Sequence, residues 1–259
     1  MDSPWRKAVR FVLVEPSDPR NIGAAARAIK NMGFSDLALV NPRRELTKEA
    51  VAMAHNAEDV LRAARTFQTL AEAVADCALV VGTTRRTGRK RGLLVPIEEG
   101  SARIVECASG GGRVALLLGR EHRGLFNHET EECGFVLSIP TSPEQPSLNL
   151  AQAAVLFAYE LSKAGRAAAP LAPPTGPPST HAEQEALCAR LVDILDLVGY
   201  TRIGSRDVGR AIRGMLKRIV SLSRPTRRDI GVMIAVASRV QARLGDPAPV
   251  DTEAPPGGG

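Results

Sequence analysis

Five short apolar runs, at residues 9–14, 37–40, 78–81, 114–118 and 135–139, recur between helical patterns in the first 164 residues. They are rich in β-branched residues or uniformly apolar, not alternating, which is how strands buried on both faces of a parallel sheet read. Helical patterns fill the gaps at 21–32, roughly 47–64, 70–75 and 98–108, and a longer one covers 148–163. Gly33 stands where a helix C′ glycine belongs. Parallel strands need crossovers and these helices supply them, so the expectation is an open α/β domain with helices on both faces of the sheet.

Two composition shifts close that domain. Residues 165–180 hold five prolines and no acid, a semi-rigid extended linker. An amphipathic helix follows over 181–199, with Leu187, Leu191, Ile194, Leu195 and Val198 on one face. A second helix is expected over 205–223, and a third to about residue 244 with Pro225 in its first turn. The organisation is therefore a domain over 1–164, a linker over 165–180, a basic helical extension over 181–245 and a frayed Pro/Gly tail over 246–259.

Composition narrows the function classes. Hydrophobic content of 44% with 24% charge is that of a folded chain with a real core. A net charge of +6 points to an anionic partner. One Trp, two Tyr and six Phe are too few for an aromatic platform that stacks bases, so RNA would be held through phosphate and shape. The cysteines (Cys77, Cys107, Cys133, Cys188) and histidines (His55, His122, His128, His181) lack ligand spacing, which argues against a metal site and a disulfide framework. Neither a charged leader with an apolar run nor a segment of membrane-spanning length is evident, so a cytoplasmic protein with reduced thiols is expected.

Three loops carry the chemistry. Leu116-Leu117-Leu118-Gly119-Arg120-Glu121 is an apolar strand running into a polar loop, and residues 139–150 form a Pro-rich loop that opens the long helix. Together they read as two walls of one small-molecule pocket. The loop at 119–125 is spaced like a P-loop, but Leu125-Phe126 stand where Lys and Ser/Thr are required. Asn21-Ile22-Gly23, with Arg27 in the second turn, follows a turn-rich loop at the end of the first strand. Asn21 can cap that helix, and Gly23 admits a close approach by another backbone or a nucleotide. Glu121 can pair with a cation such as Arg27 or cap a helix, and Ser147 is the expected N-cap of the long helix.

Basic clusters complete the pattern. Arg85, Arg86, Arg89, Lys90 and Arg91 put five cations into seven residues. Between Arg202 and Arg228 nine basic residues face one acid, Asp207, and Arg206, Arg210, Arg213 and Lys217 recur at three- or four-residue steps on one helix face. Such a stripe matches a nucleic-acid footprint.

The three loops in this order and spacing resemble the three signature motifs of the SpoU/TrmH family, RNA ribose 2′-O-methyltransferases of the SPOUT superfamily, over residues 9–163. The linker and basic extension are most similar to the TrmJ branch, which methylates tRNA on the 5′ side of the anticodon loop. The resemblance implies a C-terminal deep trefoil knot, a rare exception to un-knotted topology. It also implies a homodimer with the active site near the subunit interface, and S-adenosyl-L-methionine held at Thr83, Thr84, Gly119, Ile139, Ser147 and Leu148. Arg27 matches the family's catalytic arginine, with Asn21, Glu121, Ser147 and Asn149 around it. The implied reaction is tRNA methylation at cytidine or uridine 32. An rRNA substrate, or a non-catalytic knotted RNA-binding protein, is the alternative.

Overall fold

A computed structural model describes residues 3–44, 47–85, 92–167, 176–203 and 206–245. In chain order the elements are α1 (Pro4–Lys7), β1 (Val9–Val14), α2 (Pro19–Asn31), β2 (Asp36–Val40), α3 (Lys48–Ala54), α4 (Glu58–Arg62) and β3 (Arg65–Phe67). Then come α5 (Leu70–Val74), β4 (Leu79–Thr83), β5 (Leu94–Pro96), α6 (Ile97–Ser109), β6 (Val114–Leu118), α7 (Asn127–Glu131), β7 (Phe135–Ser138) and α8 (Leu150–Ala167). The extension comprises α9 (His181–Leu197), β8 (Arg202–Ile203), β9 (Arg206–Asp207), α10 (Val208–Ser223) and α11 (Arg227–Gly245).

The first seven strands form one parallel sheet in the order β3-β2-β1-β6-β4-β7-β5. The chain winds outward from β1 to β3, then crosses to β4 on the far side of β6. The winding direction therefore changes beside the central pair β1 and β6, and ligand sites of open α/β sheets form outside the strand ends at such a point. Phe11, Leu13 and Leu116 face one core with Ile22, Ile29 and Phe157 of α2 and α8. Val12, Val14 and Leu117 face the other, with Ala73 and Val74 of α5. No described helix is long and apolar enough to cross a membrane.

Local departures have physical causes. The expected helix at 47–64 is two helices, because Asn56 takes a left-handed φ of 64° between them. Gly23 serves a backbone approach: a Cβ there would lie 2.0 Å from the Ala50 carbonyl oxygen, so α3 packs directly on α2. The expected linker begins late, since α8 continues to Ala167. Pro225 lies outside the third extension helix; Thr226 caps it, accepting from the Asp229 N–H at 3.2 Å. The proposed tail over 246–259 lies outside the described residues.

Arg10 is the unexpected core residue. It is fully buried in β1 and donates to Asp76 at 2.6 and 3.0 Å, to Asp36 at 3.2 Å and to the Ala73 carbonyl at 2.7 Å. Burial pushes the Asp76 carboxyl up, but Arg10 and Arg113 outweigh it and hold it well below the usual carboxylate range. All four cysteines are buried free thiols.

The extension has a small core of Leu187, Cys188, Val220 and Ile230. It docks by completing backbone bonds of the α/β domain: the His181 N–H donates to Cys77 O at 2.5 Å, and Gln184 Nε2 to Ala78 O at 3.1 Å.

Candidate active site

The loops after β4, β6 and β7 converge on a cleft of about 800 Å³, open to solvent. Its walls include Thr83, Thr84, Gly119, Ile139, Ser147 and Leu148, all six expected cofactor positions. Leu118, Leu150 and Phe157 supply further apolar surface. The Thr83 hydroxyl donates to Leu117 O at 2.8 Å, and the Thr84 N–H to Leu137 O at 2.8 Å, fixing the end of β4 against both neighbours. Gly119 lets the next loop fold back on itself: a Cβ would sit 2.2 Å from Gly124 C and Leu125 N.

One carboxylate ties three loops together. Glu121, just beyond β6, accepts from the Ser17 N–H at 3.2 Å, the Ser17 hydroxyl at 2.9 Å, the Asp18 N–H at 3.2 Å and Asn21 Nδ2 at 3.0 Å. Asn149 Nδ2 in turn donates to Asn21 Oδ1 at 2.9 Å. Burial raises the Glu121 carboxyl, but the bonds from Asn21 and the surrounding backbone bring it below the ordinary value. Glu121 therefore binds the start of α2 and does not pair with Arg27.

Two capping expectations are corrected. Asp18, not Asn21, caps α2, accepting from the Arg20 N–H at 2.9 Å. Asn149, not Ser147, caps α8, accepting from the Ala151 N–H at 2.8 Å. In both places the carboxylate or amide nearest the first free N–H wins the cap, which leaves Asn21 to bond Glu121 and Asn149 and Ser147 to line the cleft. Ser147 is exposed at the lip of the cleft. Arg27 is also exposed, but it lies outside the cleft and makes no hydrogen bond or ion pair with a described residue. Asn21, Glu121 and Asn149 are thus brought together, and Arg27 and Ser147 are not joined to them within one chain.

Sequence reasoning missed Arg120. Its guanidinium bridges Glu15 at 2.9 Å and Glu129 at 2.9 and 3.0 Å, and stacks 4.0 Å from the Phe126 ring centroid. Glu129 also accepts from the Phe126 N–H at 2.6 Å. The cation so clamps the 119–125 loop between β1 and α7. Its only sequence signal is a charged residue directly after Gly119.

The cations expected to form an RNA-binding stripe are paired with acids; Arg210 and Arg213 are exposed and Lys217 is buried. Arg210 pairs with Glu131 at 2.9 Å and Arg213 with Glu185 at 2.9 Å. Lys217 is only 8% exposed and sits 3.0 Å from Glu132 and 2.8 Å from Glu185. The helix spacing was as read, but acids of α7, α9 and the turn after α7 neutralise the stripe where the extension docks. Glu132, His181 and Glu185 offer clustered ligand atoms, and the Lys217 ammonium already supplies the positive charge among them. Arg206 belongs to β9, where only its backbone is described, and Arg86, Arg89, Lys90 and Arg91 lie outside the described residues; Arg85 is exposed beside the cleft.

The SpoU rRNA Methylase family model matches residues 8–159, more than half of the chain. This chain belongs to the SpoU methylase family. A relative from Yersinia enterocolitica, "tRNA (cytidine/uridine-2'-O-)-methyltransferase TrmJ", is 36% identical over 90% of this chain and 91% of its own length. The Pseudomonas aeruginosa "tRNA (cytidine/uridine/adenosine-2'-O-)-methyltransferase TrmJ" is 46% identical, and that match spans 62% of each chain, less than two thirds of the relative's length. The crystal structure of TrmJ from Z. mobilis ZM4 aligns with a TM-score of 0.75 at 34% identity, covering 90% of this chain and 98% of that one. The agreement in fold therefore includes the helical extension as well as the α/β domain.

Proposed function

We propose that this SpoU-family chain is an S-adenosyl-L-methionine-dependent tRNA ribose 2′-O-methyltransferase, acting in the cytoplasm on cytidine or uridine 32 of the anticodon loop. The observation that carries this reading is the Glu121 hub, which ties the motif loop after β1 to the loops after β6 and β7 that line the cleft. The TrmJ relatives, alignable through the extension, favour tRNA over rRNA.

The cleft fits the cofactor's chemistry. Leu118, Ile139, Leu148 and Leu150 offer apolar walls for an adenine, and strand-end backbone groups supply polar contacts. The Glu121 carboxylate is consumed by its own loops, so an uncommitted anion need not be accommodated beside a sulfonium. When bound, the cofactor supplies an electrophilic methyl group. Asn21, Glu121 and Asn149 act as positioning residues that keep the attacking ribose oxygen and the methyl donor in line, and alignment of this kind supplies much of a transfer rate.

Arg27 is assigned to the substrate. A guanidinium remains protonated in proteins, so it acts as a clamp that holds the adjacent phosphate and polarises the 2′-hydroxyl. The proton leaves through the phosphate or Ser147. Because Arg27 lies outside the lining of its own chain's cleft, the reading includes a homodimer in which the site is completed across the interface. The knot belongs to the same reading, supported by family membership and the convergence of the loops at 83–85, 119–125 and 139–149.

Incubating the full chain with S-adenosylmethionine, tRNA and rRNA, then mapping ribose methylation, tests the assignment. A mark at pyrimidine 32 of tRNA is expected; a mark confined to rRNA, or none, overturns it. Arg27→Ala is expected to abolish transfer while cofactor affinity stays near that of the parent. A large loss of cofactor binding would remove Arg27 from its substrate role.

A further inference from the structure

The pairing of the α10 stripe with acids leaves open which cations meet the nucleic acid, and the carboxyl edge of the sheet offers others. The β1–α2 and β2–α3 loops are bound to each other by backbone: the Glu15 N–H donates to Val40 O at 2.8 Å, and the Arg43 N–H to Pro16 O at 3.3 Å. Glu15 and Asn41, at the two strand ends, both hold left-handed backbone, with φ of 47° and 43°. Non-glycine residues persist there only when the surroundings impose it, so the two strand ends are held in a fixed pose. Pro16 directly precedes Ser17, whose N–H and hydroxyl bind Glu121. Arg43 is thereby tied to the frame of the candidate active site.

The charge on this edge is only partly committed: Arg20 pairs with Asp18 at 2.8 Å, and the charge of Arg43 helps to lower the Glu15 carboxyl. Arg43 and Arg44 are exposed, and neither side chain makes an ion pair or hydrogen bond with a described residue. Arg20, also exposed, lies near Arg44, since both act on the Glu49 carboxylate. Among the described residues Asp18, Glu15 and Glu49 are acids that meet this patch, and Glu49 is bonded first to the Thr47 hydroxyl. Arg210, Arg213 and Lys217 of the extension, by contrast, are all held by carboxylates. Exposed arginines that make no ion pair with a described carboxylate, on a segment tied through Pro16 to the loop that binds Glu121, suit the sugar-phosphate backbone, which neutralises cations without requiring a base sequence.

We propose that Arg43 and Arg44 form a phosphate-binding lip that grips the RNA backbone flanking the nucleotide in the cleft, and that the α10 stripe does not. The inference rests on the tRNA reading given above. Arg43→Ser/Arg44→Ser and Arg210→Ser/Arg213→Ser variants of the full chain are titrated with unmodified tRNA over a range of salt concentrations. S-adenosylmethionine affinity is measured by calorimetry alongside.

Loss of two phosphate contacts is expected to flatten the slope of log K against log salt by about 1.5, and to weaken tRNA binding about tenfold at physiological salt. Cofactor affinity of the lip variant stays at the parent value, and the stripe variant keeps the parent slope. An unchanged slope in the lip variant, or a loss confined to the stripe variant, overturns the proposal. A parent chain that binds tRNA through the lip but transfers no methyl group would sink the enzymatic reading and leave the lip standing. A parent chain that does not bind tRNA overturns both.

Discussion

Glu121 shows what a single carboxylate can organise. Its two oxygens accept from two backbone N–H groups, one hydroxyl and one amide, all from the loop that starts α2. A glutamine of the same shape keeps one acceptor oxygen and turns an amide N–H₂ toward groups that are themselves donors. Glu121→Gln is therefore expected to cost about 1–3 kcal/mol of stability, and, through misplaced loops, about 100-fold in methyl transfer. Thermal unfolding and single-turnover assays measure the two effects; full activity in the variant would refute the positioning role. The folded carboxyl lies below its ordinary value, so its stabilisation is complete above the usual carboxylate range and fades as pH falls through the lowered value. The variant loses that acid-side slope. The importance of Glu121 was legible from its place after an apolar strand and Gly119. Its partners were not, because nothing local indicates that the loop 100 residues upstream lies within reach.

At the scale of elements, α7 and the turn after it link the cleft to the extension. Glu129 of α7 holds Arg120 at the cleft, while Glu131 and Glu132 hold Arg210 and Lys217 of α10. Burial raises the Glu132 carboxyl, yet its bond to His181 and the charge of Lys217 bring it down to about 2. Lys217→Met would leave Glu132 and Glu185 without their shared cation, and breaking a buried pair in this way costs about 3–5 kcal/mol. Because a lowered carboxyl stabilises above its unfolded value and stops doing so as pH falls through its folded one, the deficit should shrink between about pH 4.5 and pH 2. Unfolding curves of parent and variant across that range check this; a deficit independent of pH would mean that lost packing, not charge, is responsible. The stripe's helical period was legible in the sequence. Its pairing was not, because periodicity fixes which residues share a face and says nothing about acids contributed by other elements.

Across the whole molecule, the long strands were readable because burial on both faces leaves a continuous apolar signal, as in β1 and β6. The three-residue strands β3 and β5 at the sheet edges were not, since Arg65 and Thr66 of β3 are exposed and β5 ends in Pro96. The same exposure logic bears on assembly. Leu156 and Tyr159 of α8 are 38% and 46% exposed and, three residues apart, share one helix face. α8 packs on α2, which carries the exposed Arg27. A second copy seated on this face would cover the apolar pair and bring an arginine toward a cleft that its own chain does not serve. Leu156→Glu/Tyr159→Glu introduces two like charges on that face, and the repulsion should leave a monomer in sedimentation experiments if the proposed dimer forms there. Methyl transfer should fall below detection, while cofactor binding, if built from the loops of one chain, should stay within about twofold, or 0.4 kcal/mol. A monomeric variant that retains turnover would place the complete site within a single chain and return Arg27 to the surface.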